Sequence, residues 1–209
     1  MRATVRIGIA AVLAAVAFVA VLLATDVLDW RSRIDAGDTR FASGSVAANL
    51  WRPHQLLPFG VAKSLLGVQD DLTYREAVRA FVVGRPREQP YGDTDLLGAR
   101  GHARELLEAI VDGVGDPSRR SEAASLIGVL GFANTAIDPD QSYSYLTESV
   151  TWFRRAIALD PENDNAKYNL ELALSRLKNV KPPPNQRPPK GAKGGAGSGA
   201  GTGEPGSGY

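Results

Sequence analysis

Three regimes of hydrophobic patterning divide the chain. Residues 7–24, IGIAAVLAAVAFVAVLLA, run for 18 positions without a charge. As a helix such a run is about 27 Å long, close to the hydrocarbon thickness of a bilayer. From residue 61 to residue 179 apolar side chains recur at steps of three and four, the period of a helix with a buried face. From residue 181 onward the apolar pattern stops.

In the middle regime the stripes are explicit. Leu146, Val150, Phe153 and Ile157 follow steps of 4, 3 and 4, and Trp152, Ala156 and Leu159 lie beside them. Ala166, Leu170, Ala173 and Leu177 share one face of the next segment, with Tyr168 and Leu172 on another. Two stripes on one helix predict burial between two neighbours. Residues 72–83 and 99–111 have the same character, and residues 118–137 predict a further helix. There Asp116 and Pro117 supply a cap and a first-turn proline. Ala124, Ile127, Gly128 and Gly131 give that helix a flat face on which Phe153 can sit. No segment alternates with the period of a β-strand. Leu-Gly pairs at residues 66, 97 and 130 are spaced by 31 and 33 positions, a weak sign of repetition.

The apolar run predicts a membrane span. Ten of its 18 residues are Ile, Val, Leu or Phe, and the rest are Ala and one Gly. Insertion of such a helix is favourable by a few kcal/mol. A cleaved signal peptide is the alternative, but cutting after Ala24 places Leu22 where a small residue belongs. Trp30 suits the interfacial belt. Arg2 and Arg6 precede the run, while Asp26 and Asp29 follow it ahead of Arg31 and Arg33. That order predicts a cytoplasmic N-terminus and an extracytoplasmic bulk. The tail reads KPPPNQRPPK and then GAKGGAGSGAGTGEPGSGY, with nine Gly among the last nineteen residues. Such a segment has too little apolar surface to offset its ordering entropy and is expected to be disordered. The expected organisation is therefore a flank at 1–6, a transmembrane helix at 7–25, a juxtamembrane linker at 26–60, a helical domain at 61–179 and a disordered tail at 180–209.

Composition narrows the chemistry. The net charge is +1, from 24 basic and 23 acidic residues, without the basic excess of a general nucleic-acid binder. There is no Cys, hence no disulfide and no thiolate ligand or nucleophile.

The stretch AIALDPENDNAKYNLELAL, residues 156–174, resembles the tetratricopeptide repeat. Ser149, Phe153, Ala156 and Pro161 occupy the small, aromatic, alanine and proline places of a repeat's second helix. Tyr168, Leu170, Ala173 and Leu174 then match the first helix of a following repeat. Glu171 departs from the pattern, standing where a small residue is usual, as a solvent-facing final helix would tolerate. The resemblance covers residues 118–177 well and 61–114 weakly. The physical logic stands beside it: small residues let helices approach, Phe153 fills the gap, and Pro161 ends a helix. The chain as a whole is similar to small membrane-anchored bacterial proteins of this type, some encoded beside MoxR-type AAA+ ATPases and von Willebrand factor A domain proteins. The resemblance implies an all-α fold, a short α-solenoid behind a single-pass anchor, and protein partners that include membrane proteins of one complex.

The remaining candidates are weaker. His54 and His102 have no partner at metal-ligand spacing, and His102 belongs to a solvated face with Arg100, Arg104 and Glu105. Asp70-Asp71, Asp93/Asp95 and Asp138/Asp140 invite a carboxylate-catalysis reading, but each lies where a cap or turn uses Asp. No phosphate loop, serine elbow or calcium loop occurs. Arg119, Arg120, Arg154 and Arg155 are candidate contacts for acidic groups of a partner. Trp51 is expected to pack along the first helices. The expected function is non-enzymatic binding of a protein or peptide segment in the groove of the repeats, with no cofactor, metal, nucleic acid or small-molecule substrate. Two alternatives stay open. One is a structural assembly factor that packs through Ala10, Ala14 and Ala17 of the membrane helix. The other is a cell-envelope enzyme using Asp70, Asp71 and Asp138.

Overall fold

The structure, a computed structural model, describes residues 2–53, 56–57, 60–85 and 94–183, with side chains omitted at 2–6 and 94. His54, Pro58, Phe59, Asp93 and the tail from residue 184 lie outside the described residues. The described chain is entirely helical, with no strand. Its helices are α1 (Arg2–Ala42), α2 (Val61–Leu66), α3 (Gln69–Gly84), α4 (Thr94–Asp112), α5 (Pro117–Asn134), α6 (Ser142–Leu159) and α7 (Asp164–Leu177), with a short 3-10 turn at Pro139–Gln141.

Helix boundaries follow local chemistry. Asp116 caps α5 by accepting hydrogen bonds from the Ser118 and Arg119 amides, with Pro117 in the first turn. Asp138 accepts from the Gln141 amide and starts the 3-10 turn. Asn163 caps α7 by accepting from the Ala166 amide at 2.9 Å. Pro161 follows the last residue of α6 by two positions, as its missing N–H requires.

From α3 to α7 the helices pack in chain order, each on the next. In addition α3 touches α5, and α5 touches α7. The first helices of successive hairpins therefore stand side by side. One core cluster joins α3, α4 and α5 through Ala77, Ala80, Leu107, Val111 and Ile127. A second joins α6 and α7 through Val150, Phe153 and Ala173.

Close approach of α5 and α6 depends on missing side chains. A Cβ at Gly128 would lie 2.5 Å from Phe153 Cε1, and one at Gly131 would lie 2.9 Å from Ser149 Oγ. The flat face expected on α5 is thus the seat of Phe153, which is 1% exposed.

The N-terminal region differs from expectation. The helix does not end near residue 25 but continues to Ala42, about 60 Å in all at a helical rise of 1.5 Å per residue. The described residues between 26 and 57 do not form a free linker. After Ala42 the chain turns back along α1, and Leu50 and Trp51 are buried against it. The Trp51 indole donates to Asp38 at 2.8 Å and meets Phe41 at a ring separation of 5.6 Å. Gly37 leaves room for it, since a Cβ there would stand 2.5 Å from Trp51 Cδ1. Trp51 therefore packs, as expected. Trp30 is also covered, at 4% exposure, and its indole N–H finds no acceptor among the described residues. It is a core residue, where the interfacial reading expects an exposed ring, and Ala48, Trp51 and Arg52 of the returning chain line a cleft beside it.

α3 is clamped to this base. Arg75 donates to both carboxylate oxygens of Asp38 at 2.9 Å, and Arg79 donates to the Val46 carbonyl at 3.0 Å. The Arg75 hydrogen bonds hold the Asp38 carboxyl below its usual pKa, against the opposing effect of burial.

Candidate functional site

Because α3, α5 and α7 stand side by side, they present one continuous face. Two clefts lie along it. The larger, about 450 Å³, opens between the start of α3 and the α4–α5 turn, and Asp70, Tyr74, Ile110, Val114, Arg119 and Arg120 line it. The smaller, about 170 Å³, lies between α5 and α7, where Glu122, Leu126 and Val129 face Asn163, Asn165 and Asn169. Asn165 and Asn169 are four residues apart on α7, so their amides project on one side. Each amide offers both a donor and an acceptor, the complement of a peptide group.

Tyr74 organises the larger cleft. The Arg119 guanidinium lies 5.7 Å from its ring centroid. Burial, together with the neighbouring Glu122 carboxylate, pushes the Tyr74 hydroxyl up to about 12, and Arg119 opposes this. The phenol therefore stays protonated at neutral pH. Val114, on the α4–α5 turn, is fully exposed at the rim.

The four arginines read from the sequence as partner contacts are mostly engaged within the fold. Arg119 pairs with Asp71, joining α5 to α3. Arg120 donates to the Val111 carbonyl at 3.0 Å and closes the end of α4. Arg155 pairs with Asp112 at 2.7 Å and covers the Trp152 ring at 5.3 Å, joining α6 to α4. Arg104 flanks the same ring at 6.0 Å and pairs with Glu108 and Glu148. Arg154 alone of the four is exposed without an ion pair to a described residue. Sequence spacing locates these side chains on outer faces but cannot show that a neighbouring helix supplies the acid.

The carboxylates are not brought together. Asp70 and Asp71 lie at the first turn of α3, beside the start of α5. Asp138 follows the far end of α5, about 27 Å away by helical rise. Among the described residues no three His, Asp or Glu side chains form a group able to hold a metal. His102 is exposed on α4, the solvated position expected for it.

The repeat-like residues have mixed fates. Ser149, Phe153, Ala156 and Ala173 are buried, and Leu170 and Leu174 pack against Phe153 and Ala173. Pro161 is exposed in the α6–α7 turn. Tyr168, expected on a second buried stripe, is 68% exposed, and Leu172 and Glu171 are exposed beside it. No further helix among the described residues covers that side of α7.

Two structural residues escaped the sequence reading. Ser121, wholly buried, donates to the Ala156 carbonyl at 2.7 Å and accepts from the Asn163 amide at 2.8 Å. It ties α5 to the end of α6 and to the cap of α7. Arg100 was placed with the solvated neighbours of His102, yet it is 4% exposed. Its position was legible: Arg100, Ala103, Leu107 and Val111 follow steps of 3, 4 and 4, and all four are buried. Comparison of the chain with protein-family models, with curated proteins and with solved structures found no match.

Proposed function

We propose that this chain is a membrane-anchored, non-enzymatic binding module whose α3–α5–α7 face receives a protein or peptide segment. The observation that carries the reading is the face itself. Three helices from successive hairpins line up; one cleft lies between α5 and α7 and the other where the start of α3 meets the end of α4 and the α4–α5 turn, and both mix hydrogen-bonding side chains with apolar ones, Ile110 and Val114 in the larger and Leu126 and Val129 in the smaller. Stacked hairpins use such faces to hold extended or helical segments. The resemblance of residues 118–177 to tetratricopeptide repeats points the same way. The dispersal of Asp70, Asp71 and Asp138 removes the motive for a carboxylate enzyme.

Asn165→Arg combined with Asn169→Arg fills the smaller cleft while leaving the core intact. A partner recovered from detergent extracts by the full-length protein should be lost with this pair and kept with Arg154→Glu on the opposite helix α6. Loss with Arg154→Glu and retention with the asparagine pair would move the binding surface to α6. Retention with both would end the groove reading.

The anchor is α1, whose residues 7–24 are long and apolar enough to cross a membrane. Arg2 and Arg6 before the run and Asp26 and Asp29 after it support a cytoplasmic N-terminus, with α3–α7 outside. A phosphatase reporter fused after Tyr209 should therefore be active. An inactive fusion, with an active cytoplasmic reporter at the same place, would reverse the orientation.

A further inference from the structure

Asp26 follows the uncharged run by two residues, which places it roughly 3 Å beyond the end of the run. It is 2% exposed. Its two carboxylate oxygens accept the backbone N–H groups of Leu56 and Leu57, each at 2.8 Å. A carboxylate so held fixes the returning chain at a defined height on α1. The height is the edge of the apolar segment. Every residue from 7 to 21 is exposed, but Leu22 and Leu23 are half-buried, so the fold already covers the last turn of the run.

α2 follows at once and packs on α1. Gly60 and Gly67 bound it with φ of 66° and 63°, conformations that confine it to six residues. Its two sides differ. Ala62 and Leu66, four residues apart, face inward, and Ala62 is buried. Val61 and Leu65, also four apart, face outward, and Leu65 is 66% exposed. Leu56, whose amide Asp26 holds, is exposed as well. In water such a cluster is unfavourable, and exposed apolar patches mark contacts. Lys63, on the opposite side of the helix, is half-buried beside Trp30, Trp51 and Glu76 and is not part of this patch.

We propose that α2 and the Leu56–Leu57 turn form a second membrane contact, in which Leu56, Val61 and Leu65 enter the headgroup–acyl boundary. The proposal rests on α1 spanning the membrane. Continuity carries the choice of a lipid occupant: the patch is bonded, through Asp26, to the margin of the helix that would already lie in lipid. Short helices with one apolar face occupy that boundary. The contact fixes the pose of the binding face. α3 leaves α2 and climbs away from the bilayer, since Arg75 reaches Asp38 and Arg79 reaches Val46 further along the chain. α3–α7 would stand on the surface instead of swinging on a tether.

The chain has no cysteine, so single labels are unambiguous. Full-length Val16→Cys, Leu65→Cys and Asp140→Cys variants, each carrying an environment-sensitive fluorophore, would be placed in nanodiscs of phosphatidylcholine and phosphatidylglycerol. Lipids carrying a shallow or a deep spin-label quencher, used in parallel, report depth. Val16 tests the anchor, and Asp140, in the 3-10 turn beyond the far end of α5, reports the distal side. The expected result is strong quenching and blue-shifted emission at Leu65, with a water-like, unquenched signal at Asp140. A quenched Val16 with an unquenched Leu65 overturns the second contact and leaves the anchor standing. A Val16 label that is never quenched overturns both. Equal quenching at Leu65 and Asp140 overturns the assignment to α2.

Discussion

Phe153→Ala is expected to destabilise the helical domain by about 3–5 kcal/mol, the cost of removing a fully buried phenyl ring and leaving a cavity. Phe153 is buried between α5, α6 and α7, so the loss falls on all three contacts at once. For a domain of this size such a change lowers the melting temperature on the order of 10 °C. Thermal unfolding in mild detergent, followed by far-ultraviolet circular dichroism, reads it.

The partner experiment is sharper. Gly128→Ala alone should destabilise by about 1–3 kcal/mol, because its Cβ meets the phenyl ring. In the Phe153→Ala background the ring is gone. There the same change should be neutral or stabilising by about 0.5–1 kcal/mol, the helix preference of Ala over Gly. The sign of one substitution thus depends on the other residue. Equal effects of Gly128→Ala in both backgrounds would show that Phe153 does not sit on Gly128.

The second large effect concerns Arg100. Its guanidinium donates to the Gly84 carbonyl at 2.8 Å and to the Asn134 side chain at 2.7 Å. Gly84 is the last residue of α3 and Asn134 the last of α5. One buried cation near the start of α4 therefore closes the C-terminal ends of two helices, where the helix dipoles favour positive charge. Burial lowers the Arg100 pKa, and no carboxylate opposes it. The compensation comes from carbonyl oxygens.

Arg100→Met keeps the bulk and removes both donors. It should destabilise by about 2–4 kcal/mol, from two hydrogen bonds to a charged group and the acceptors left behind. Arg100→Lys should recover less than half of this, since an ammonium cannot form the fork that spans both acceptors. Urea unfolding of the full-length variants in detergent measures both. A Met variant within about 0.5 kcal/mol of the parent, the usual range for a surface change, would show that the clamp is not stabilising.

Both predictions follow from residues that the sequence treated differently. The match of Phe153 to Gly128 and Gly131 was legible, because a small-residue face and an aromatic at helical spacing predict each other. The role of Arg100 was legible only as a position on the Ala103–Leu107–Val111 stripe. What it binds was not, since its acceptors lie 16 and 34 residues away in sequence. The same limit explains the clefts. Nothing in the local sequence singles out Asn165 and Asn169; they line a cleft only because α5 stands beside α7.

The arginines show why outer-face charge is ambiguous. Arg119 and Arg155 lie on solvent-facing stripes, and a neighbouring helix brings Asp71 and Asp112 to them. Periodicity records which side of a helix avoids the core. It carries no record of the helix that stands next to that side. Tyr168 makes the converse point: its stripe is apolar enough to pack, yet no described helix covers it.

By itself the sequence determined the elements of this protein. It set the uncharged 18-residue run, the helical period from α3 to α7, the Asp116–Pro117 start of α5 and the Pro161–Asn163 turn, all of which depend on residues within a few positions of one another. Tertiary structure alone decided the rest. It carried α1 on to Ala42, brought Leu56 and Leu57 back to Asp26, buried Trp30 and Arg100, and aligned α3, α5 and α7 into one face. The reason is physical: apolar burial is non-directional, so a stripe specifies that a face must be covered, and only three-dimensional packing specifies by what.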